Sequence, residues 1–180
     1  HEAGFPAGVF NLVNGDGLGV GTQLSVHPDV DMVSFTGSSR AGIAISKAAA
    51  DTLKRVSHEL GGKGANIVFD DAPIDETVEG IVNGIFFNQG HVCCAGSRLL
   101  VQESVADEVI AKLKDRMETL IVGNPLDKNT DVGAINSSMQ LERIQSYLKI
   151  GKAEGGEMHQ SGCRVPRKGY WCRPTIFTGV

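Results

Sequence analysis

The apolar positions along the chain alternate between short runs and helical spacings. Short apolar runs predict strands at residues 8–13, 30–35, 56–60, 65–69 and 98–102, with a strand-like tail at 170–177. Helical spacings predict helices at residues 20–25, 40–53, 74–87, 105–120 and 137–151. Strands that alternate with helices are typical of a parallel sheet, so the pattern predicts an α/β protein. A proline in the tail, Pro174, indicates an edge position for that strand.

Composition narrows the classes of protein that this sequence can encode. The chain has 180 residues, 41% of them hydrophobic, and a net charge of −4. This content suffices for a domain-sized core and predicts a globular protein. Apolar runs stay short of the roughly 18–20 residues that cross a bilayer, and the basic residues are scattered, so we expect neither a membrane nor a nucleic acid as partner. The opening residues lack signal-peptide features and resemble mid-domain sequence, so we expect an internal piece of a longer protein.

Four cysteines bear on the compartment and on metal binding. Cys93, Cys94, Cys163 and Cys172 are too few and too poorly spaced for a disulfide framework, which favours reduced thiols in the cytoplasm. They also lack a second close pair or a regular histidine spacing, so we expect no metal site.

A glycine-serine turn lies between the predicted strand at 30–35 and the following helix. Ser38 can cap that helix, and Gly37 lets a ligand approach the backbone closely. Free N–H groups at a helix start favour phosphate, which makes the turn a candidate pyrophosphate seat. Taken alone, the local sequence favours the plainer interpretation, a capped junction between strand and helix.

Two glycine-flanked segments carry an acid and a thiol. Glu59 precedes Gly61 and Gly62, and Cys93 follows 34 positions later, between Gly90 and Gly96. A carboxylate that loses water becomes a better base, and a thiol becomes a nucleophile as the thiolate. Taken alone, Glu59 is more typical of a surface or salt-bridged acid, and Cys93 and Cys94 also fit two buried small residues.

The order and spacing of these segments resemble the aldehyde dehydrogenase superfamily. The resemblance covers essentially the whole chain and rests on Gly-Phe-Pro-Ala-Gly-Val-Phe-Asn at 4–11, Gly-Asp-Gly at 15–17, Phe-Thr-Gly-Ser at 35–38 with Gly42, Glu-Leu-Gly-Gly-Lys at 59–63, the run at 87–98, and Gly-Tyr and Pro-Thr at 169–170 and 174–175. It implies oxidation of an aldehyde to a carboxylate with NAD or NADP. Cys93 would form a thiohemiacetal and then a thioester, and Glu59 would activate the hydrolytic water.

The resemblance also implies a division of the chain and a set of cofactor residues. Residues 1–60 would be the end of a Rossmann-like NAD(P)-binding domain, and residues 61–180 the first part of an α/β catalytic domain with a parallel sheet. Both domains would border a cleft that holds Glu59 and Cys93. The residues implied near the cofactor are Thr36, Gly37, Ser38, Gly42, Leu60, Gln140 and Arg143.

His91 departs from the family pattern, because that position usually holds Gln or Glu. The resemblance further implies a homo-oligomeric parent enzyme, whose substrate choice and preference between NAD and NADP depend on residues outside this sequence. Two alternatives stay open: a relative that passes the thioester to coenzyme A, and a non-catalytic cofactor-binding or scaffold module.

Overall fold

The computed structural model describes residues 2–180, which form two compact units that divide between Gly61 and Gly62. The first unit contains a π-helical turn and four elements: Gly17–Gly21, α1 (Thr22–Val26), β1 (Met32–Gly37), α2 (Ser39–Ala50) and β2 (Arg55–Leu60). The second unit contains β3 (Ala65–Val68), α3 (Ile74–Phe86), a 3-10 turn (Phe87–Gly90), β4 (Arg98–Val101), α4 (Glu103–Glu118), α5 (Ser138–Ala153), β5 (Glu157–Gln160) and β6 (Thr175–Thr178).

In the first unit, β1 and β2 form a parallel pair that is joined by α2. Val33 pairs with Val56 and Phe35 pairs with His58 in the register of the two strands. Lys54, just before β2, is buried and donates from Nζ to the carbonyls of His27 (2.6 Å) and Val30 (3.0 Å). The buried ammonium therefore ties the loop before β1 to the start of β2.

In the second unit, β3 and β4 form another parallel pair with α3 in the crossover. The apolar stripe of α3 packs against α4 because both helices repeat apolar residues at helical spacing. The resulting core contains Val68, Val78, Ile81, Val82, Val109, Leu113, Met117 and Leu120. Full burial of one such side chain contributes about 1.5–3 kcal/mol, so this cluster is the main source of stability that positions the crossover.

The second unit also contains an antiparallel pair, β5 and β6, in which Met158 pairs with Phe177. The apolar pattern predicted a single strand-like tail at residues 170–177 and gave no indication of β5. The regular part of that tail is short and begins after Pro174, whose missing N–H cannot join a ladder.

The predicted α/β class with parallel strand pairs is confirmed. The predicted strand at residues 8–13 is wrong: these residues have no regular structure and are exposed, Phe10 at 83%. A strand needs a partner for its backbone groups, and no described strand pairs with this segment. None of the helices in the described part of the chain has both the length and the apolar character needed to cross a membrane.

Candidate active site

The carboxyl ends of β1 and β2 bring four of the sequence-predicted residues together. In the parallel register Thr36 pairs with Glu59 and Gly37 pairs with Leu60. Paired residues of neighbouring strands present their side chains on the same face of a sheet, so Thr36 and Glu59 are neighbours. In α/β proteins, ligands bind outside the carboxyl ends of parallel strands, which is where this set lies.

The helix that follows β1 begins at the glycine-serine turn. Ser38 is the N-cap of α2, and its Oγ accepts a hydrogen bond from the backbone N–H of Ala41 at 3.3 Å. The N–H groups of Ser39 and Arg40, in the first turn, have no intrahelical acceptor by construction. These N–H groups lie at the positive end of the helix dipole. The turn therefore has the donors that a phosphate group requires.

Gly42 sets the distance between α2 and β2. It is buried, and a methyl group in its place would lie 3.0 Å and 3.3 Å from the two terminal carbons of Leu60. Close packing of helix on strand is one of the roles of glycine in dinucleotide-binding turns. Gly42 therefore contributes to the position of the turn through its missing side chain.

The missing side chain of Gly37 leaves space for an aromatic ring, and the backbone of Gly37 is not in the left-handed region. A methyl group at Gly37 would overlap the ring of Phe35, and that ring stands edge-on to His58 with the centroids 6.1 Å apart. His58 Nε2 lies 2.8 Å from Oγ of Ser46 on α2. These contacts fix the end of β1 against β2, one residue before Glu59.

Glu59 itself is exposed, and its backbone is held by the β1 pairing. The described residues around it therefore do not remove water from the carboxylate. Any such desolvation would come from other groups that pack or bind at this end of the strands.

In the second unit, Cys93 lies on the loop between α3 and β4, and its side chain is exposed. The loop begins with three consecutive residues in the left-handed region: Asn88 (φ 49°), Gln89 (φ 56°) and Gly90 (φ 74°). This conformation costs about 1–2 kcal/mol at each non-glycine residue, so surrounding contacts have to hold it. Asn88 and His91 supply two of them, through His91 N to Asn88 O (3.0 Å) and Asn88 Nδ2 to His91 O (3.1 Å).

The carboxyl side of the loop is fixed by β3 and by the segment before it. Asn66 donates from Nδ2 to the carbonyl of Gly96 at 3.1 Å, and Gly96 donates to the carbonyl of Gly84 at 3.1 Å. A methyl group at Gly64 would lie 3.3 Å from the carbonyl of Ala95, and one at Gly62 would lie 3.6 Å from the carbonyl of Cys93. Gly62 and Gly64 thus allow their segment to pass close to the backbone of the Cys93 loop.

The structure connects α5 to the same loop. Nε2 of Gln140 lies 3.2 Å from Nε2 of His91, and Ser137, the N-cap of α5, accepts from the N–H of Gln140 at 3.2 Å. Arg143, three residues further along α5, is exposed. Of the two α5 residues that the resemblance associates with cofactor, one therefore contacts the thiol loop directly.

Two residues in this network were missed by the sequence analysis. Asn66 is a polar residue inside the short apolar strand β3, and that irregularity was the available signal. Gln89, with its side-chain amide oriented to satisfy both groups, donates to the carbonyl of Ala134 (3.2 Å) and accepts from the N–H of Gly133 (3.1 Å). Nothing in the spacing of the sequence indicates that second contact, because it joins distant segments.

These features define an α/β protein with two parallel strand pairs, the first of which ends at glycines, and with an exposed thiol on the crossover loop of the second. Residues 1–180 match the family model described as the aldehyde dehydrogenase family. The chain therefore belongs to the aldehyde dehydrogenase family.

Individual relatives agree with this assignment. An aldehyde dehydrogenase from Emericella nidulans is 48% identical over 99% of this chain and 36% of its own length. The structure of an NAD-dependent aldehyde dehydrogenase from Sinorhizobium meliloti matches with a TM-score of 0.95 and 45% identity, over 99% of this chain and 36% of that one. A cysteine-to-alanine mutant of aldehyde dehydrogenase C from Pseudomonas syringae, in complex with NAD+ and octanal, matches with a TM-score of 0.91 and 41% identity, over 99% of this chain and 38% of that one. The chain thus spans little more than a third of the length of these relatives.

Proposed function

We propose that the complete protein oxidises an aldehyde to a carboxylate with NAD+ or NADP+, with Cys93 as nucleophile and Glu59 as general base. The observation that carries this proposal is the exposed Cys93 on a loop whose backbone is held from both sides. Family membership supports it, since relatives are named as NAD-dependent aldehyde dehydrogenases and one is bound to NAD+ and octanal.

In the first half of the reaction, the Cys93 thiolate adds to the aldehyde carbon, and a carbon–sulfur bond forms as the carbonyl π bond becomes an alkoxide. Backbone N–H groups beside the thiol are suited to stabilise that oxygen. Bound NAD(P)+ supplies the hydride acceptor that makes the step from thiohemiacetal to thioester an oxidation. Cys93 thereby divides one difficult oxidation into two easier steps.

In the second half, Glu59 takes a proton from water, and the water oxygen adds to the thioester carbon. The carbon–sulfur bond then breaks, which returns the thiolate of Cys93 and releases the carboxylic acid, and this acid and Glu59 each pass a proton to solvent to leave two carboxylates. Glu59 suits this role because its side chain is free at the end of β2 and its backbone is fixed by pairing with Thr36.

The residues at the end of β1 fit a dinucleotide. The first turn of α2, capped by Ser38, offers N–H donors to the pyrophosphate, while Thr36 and Gly37 border it and Gly42 keeps α2 close to Leu60. In this proposal Leu60 approaches the nicotinamide carboxamide through its backbone, and Gln140 and Arg143 of α5 lie toward the ribose. Residues 1–60 would belong to the NAD(P)-binding domain and residues 61–180 to the catalytic domain.

The decisive experiment is a Cys93→Ser substitution in the complete enzyme, with Cys94→Ser as the matched control. Both thiols are exposed neighbours on one loop, so a general disturbance of the loop would affect both variants. We expect Cys93→Ser to lower kcat for aldehyde-dependent NAD(P)H formation by at least about a thousandfold, and Cys94→Ser to change it by less than about threefold. Full activity in Cys93→Ser would refute the proposal.

Product analysis separates this reaction from its nearest alternative. A carboxylate that forms without coenzyme A supports hydrolysis by Glu59-activated water. An absolute requirement for coenzyme A would instead identify an acyl-transferring relative. A non-catalytic module would form neither product, and its Cys93 would react with an aldehyde-like electrophile no faster than an ordinary thiol.

Two further properties belong to the same proposal. We expect a cytoplasmic protein, because Cys93, Cys94, Cys163 and Cys172 are all free thiols. We also expect the complete enzyme to be a homo-oligomer, which light scattering of the purified protein would test.

A further inference from the structure

The loop that carries Cys93 is held on its amino-terminal side by a side chain from another element. His91, two residues before the thiol, lies 3.2 Å from the side-chain amide of Gln140. Gln140 is in the first turn of α5, and the Ser137 cap holds its backbone N–H. The contact thus joins the thiol loop to the fixed start of a sixteen-residue helix.

The opposite side of the loop has an independent anchor. Asn66 on β3 bonds the carbonyl of Gly96, three residues after the thiol. Cys93 therefore lies between two side-chain contacts, one from α5 and one from β3. Without the first contact, the segment that begins in the left-handed turn at Asn88 would lose the side-chain link between His91 and α5.

We propose that His91 and Gln140 are positioning residues for the Cys93 thiol, with Gln140 acting through His91. The inference rests on the proposed role of Cys93 as nucleophile and deepens it. An imidazole can donate or accept at Nε2, and an amide offers both a donor and an acceptor, so the pair can form in either sense. A glutamine at position 91 carries the same two functions, and it can therefore replace the histidine in this contact.

The effect of the His91–Gln140 contact on the thiol loop has to be distinguished from a direct effect of Gln140 on cofactor binding. Hydrogen–deuterium exchange of the complete enzyme without NAD(P)+ does so, because no cofactor is present to respond. The reporters are the N–H groups of His91 and Ala95, which bond the carbonyls of Asn88 and Val92 at 3.0 Å each. We expect Gln140→Ala to speed their exchange by about two- to tenfold, the range that one neutral hydrogen bond accounts for. Gln145→Ala, an exposed change on the same helix, should leave both rates unchanged.

Kinetics then test whether the contact positions the nucleophile. We expect His91→Ala and Gln140→Ala each to lower kcat by about two- to tenfold, and the double variant to be no slower than the slower single variant, since both remove one contact. His91→Gln should retain kcat within about twofold.

The outcomes distinguish this inference from the proposed function. Unchanged loop exchange in Gln140→Ala, multiplicative losses in the double variant, or a His91→Gln variant as slow as His91→Ala would each overturn the positioning role while Cys93 stays the nucleophile. Activity that survives Cys93→Ser would overturn the proposed function, whereas the exchange result would still report on the His91–Gln140 contact.

Discussion

Thr36 and Glu59 lie opposite each other at the carboxyl ends of two parallel strands. Thr36 leads through Gly37 into the Ser38 cap of α2, and Glu59 leads into the glycines that pass behind the Cys93 loop. The same strand pair therefore positions both the candidate phosphate-binding turn and the candidate base. A single residue of slip in the register would turn Glu59 to the other face of the sheet.

Glu59→Gln should separate the two halves of the proposed reaction. The carboxylate is exposed and its backbone is held by β1, so the amide fits the same space and the fold should be preserved. Because the first half does not need the base, we expect a rapid burst of NAD(P)H near one equivalent per active site. Steady-state kcat should then fall by about 10²–10⁴-fold, which stopped-flow absorbance measures.

Glu154→Gln is the matched control for this change, since it removes an exposed carboxylate at the end of α5. It should leave both the burst and the steady-state rate unchanged. A Glu59→Gln enzyme that turns over at the normal rate would exclude Glu59 as the base.

Ser38 allows capping to be distinguished from anion binding. Ser38→Ala removes the acceptor for the Ala41 N–H and should cost about 0.5–2 kcal/mol in helix stability. Ser38→Asp retains a good cap but adds a negative charge where the pyrophosphate is proposed to bind. We therefore expect Ser38→Asp to melt close to the parent and to bind NAD(P)H at least about tenfold more weakly, as measured by fluorescence titration. Parental affinity in Ser38→Asp would argue against a phosphate at this turn.

Gly96 should be intolerant of alanine. A methyl group there overlaps the Asn66 amide, so Asn66 has to move and its hydrogen bond to Gly96 is lost. Such overpacking typically costs about 1–3 kcal/mol. We expect a lower apparent Tm by differential scanning calorimetry and a reduced kcat.

Gly80→Ala provides the comparison for Gly96→Ala. Gly80 lies in α3 with open space around its Cα, and alanine is favoured over glycine in a helix by about 1 kcal/mol. This variant should melt at the parental temperature or above it with normal kcat. Equal melting temperatures for the two variants would contradict the close approach of Gly96 to Asn66.

We expect the Cys172 thiol to be alkylated more slowly than the Cys93 thiol. Burial raises the pKa of Cys172 above its ordinary value of 9.0, and the nearby Cys163 raises it further. Because the folded pKa is the higher one, the contribution of this thiol to stability is fully present below about pH 9 and declines as pH rises through the folded pKa. Near neutral pH, iodoacetamide should modify exposed Cys93 well before Cys172, as peptide mass spectrometry can show.

Denaturation in urea supplies the control for the thiol experiment. The unfolded chain lacks the burial around Cys172, so its modification should approach that of an ordinary thiol. Equal rates for Cys172 in folded and unfolded protein would show that burial does not govern its reactivity.

Local signals accounted for most of the fold. The helix predicted at 74–87 is Ile74–Phe86, and the strand predicted at 65–69 is Ala65–Val68, because caps and apolar spacing act within a few residues. The strand predicted at 8–13 failed for a non-local reason, since extended backbone needs a pairing partner that the apolar pattern does not identify. For the same reason β5, whose partner lies fifteen or more residues away, was not predicted.

Less of the candidate site than of the fold could be predicted from the sequence. Cys93 and Glu59 could be selected from the sequence because glycines surround both, and the resemblance gave them roles that remain predictions. The contacts that hold the thiol loop could not, since Asn66 and Gln140 lie 27 and 47 positions from Cys93 in the sequence. Hydrogen bonds over such separations depend on how α5 and β3 pack and leave no periodic trace.

The crossover that carries Cys93 also has a consequence for the order of folding. Its two ends meet through the parallel pairing of β3 with β4, in which Ala65 joins Arg98 across 33 positions. Loop closure over that distance has to precede the contacts that reward it, so such pairings form slowly. A newly synthesised chain would therefore contain Cys93 well before the loop around it reaches its folded geometry. The reactive arrangement of that thiol would be among the last features to form.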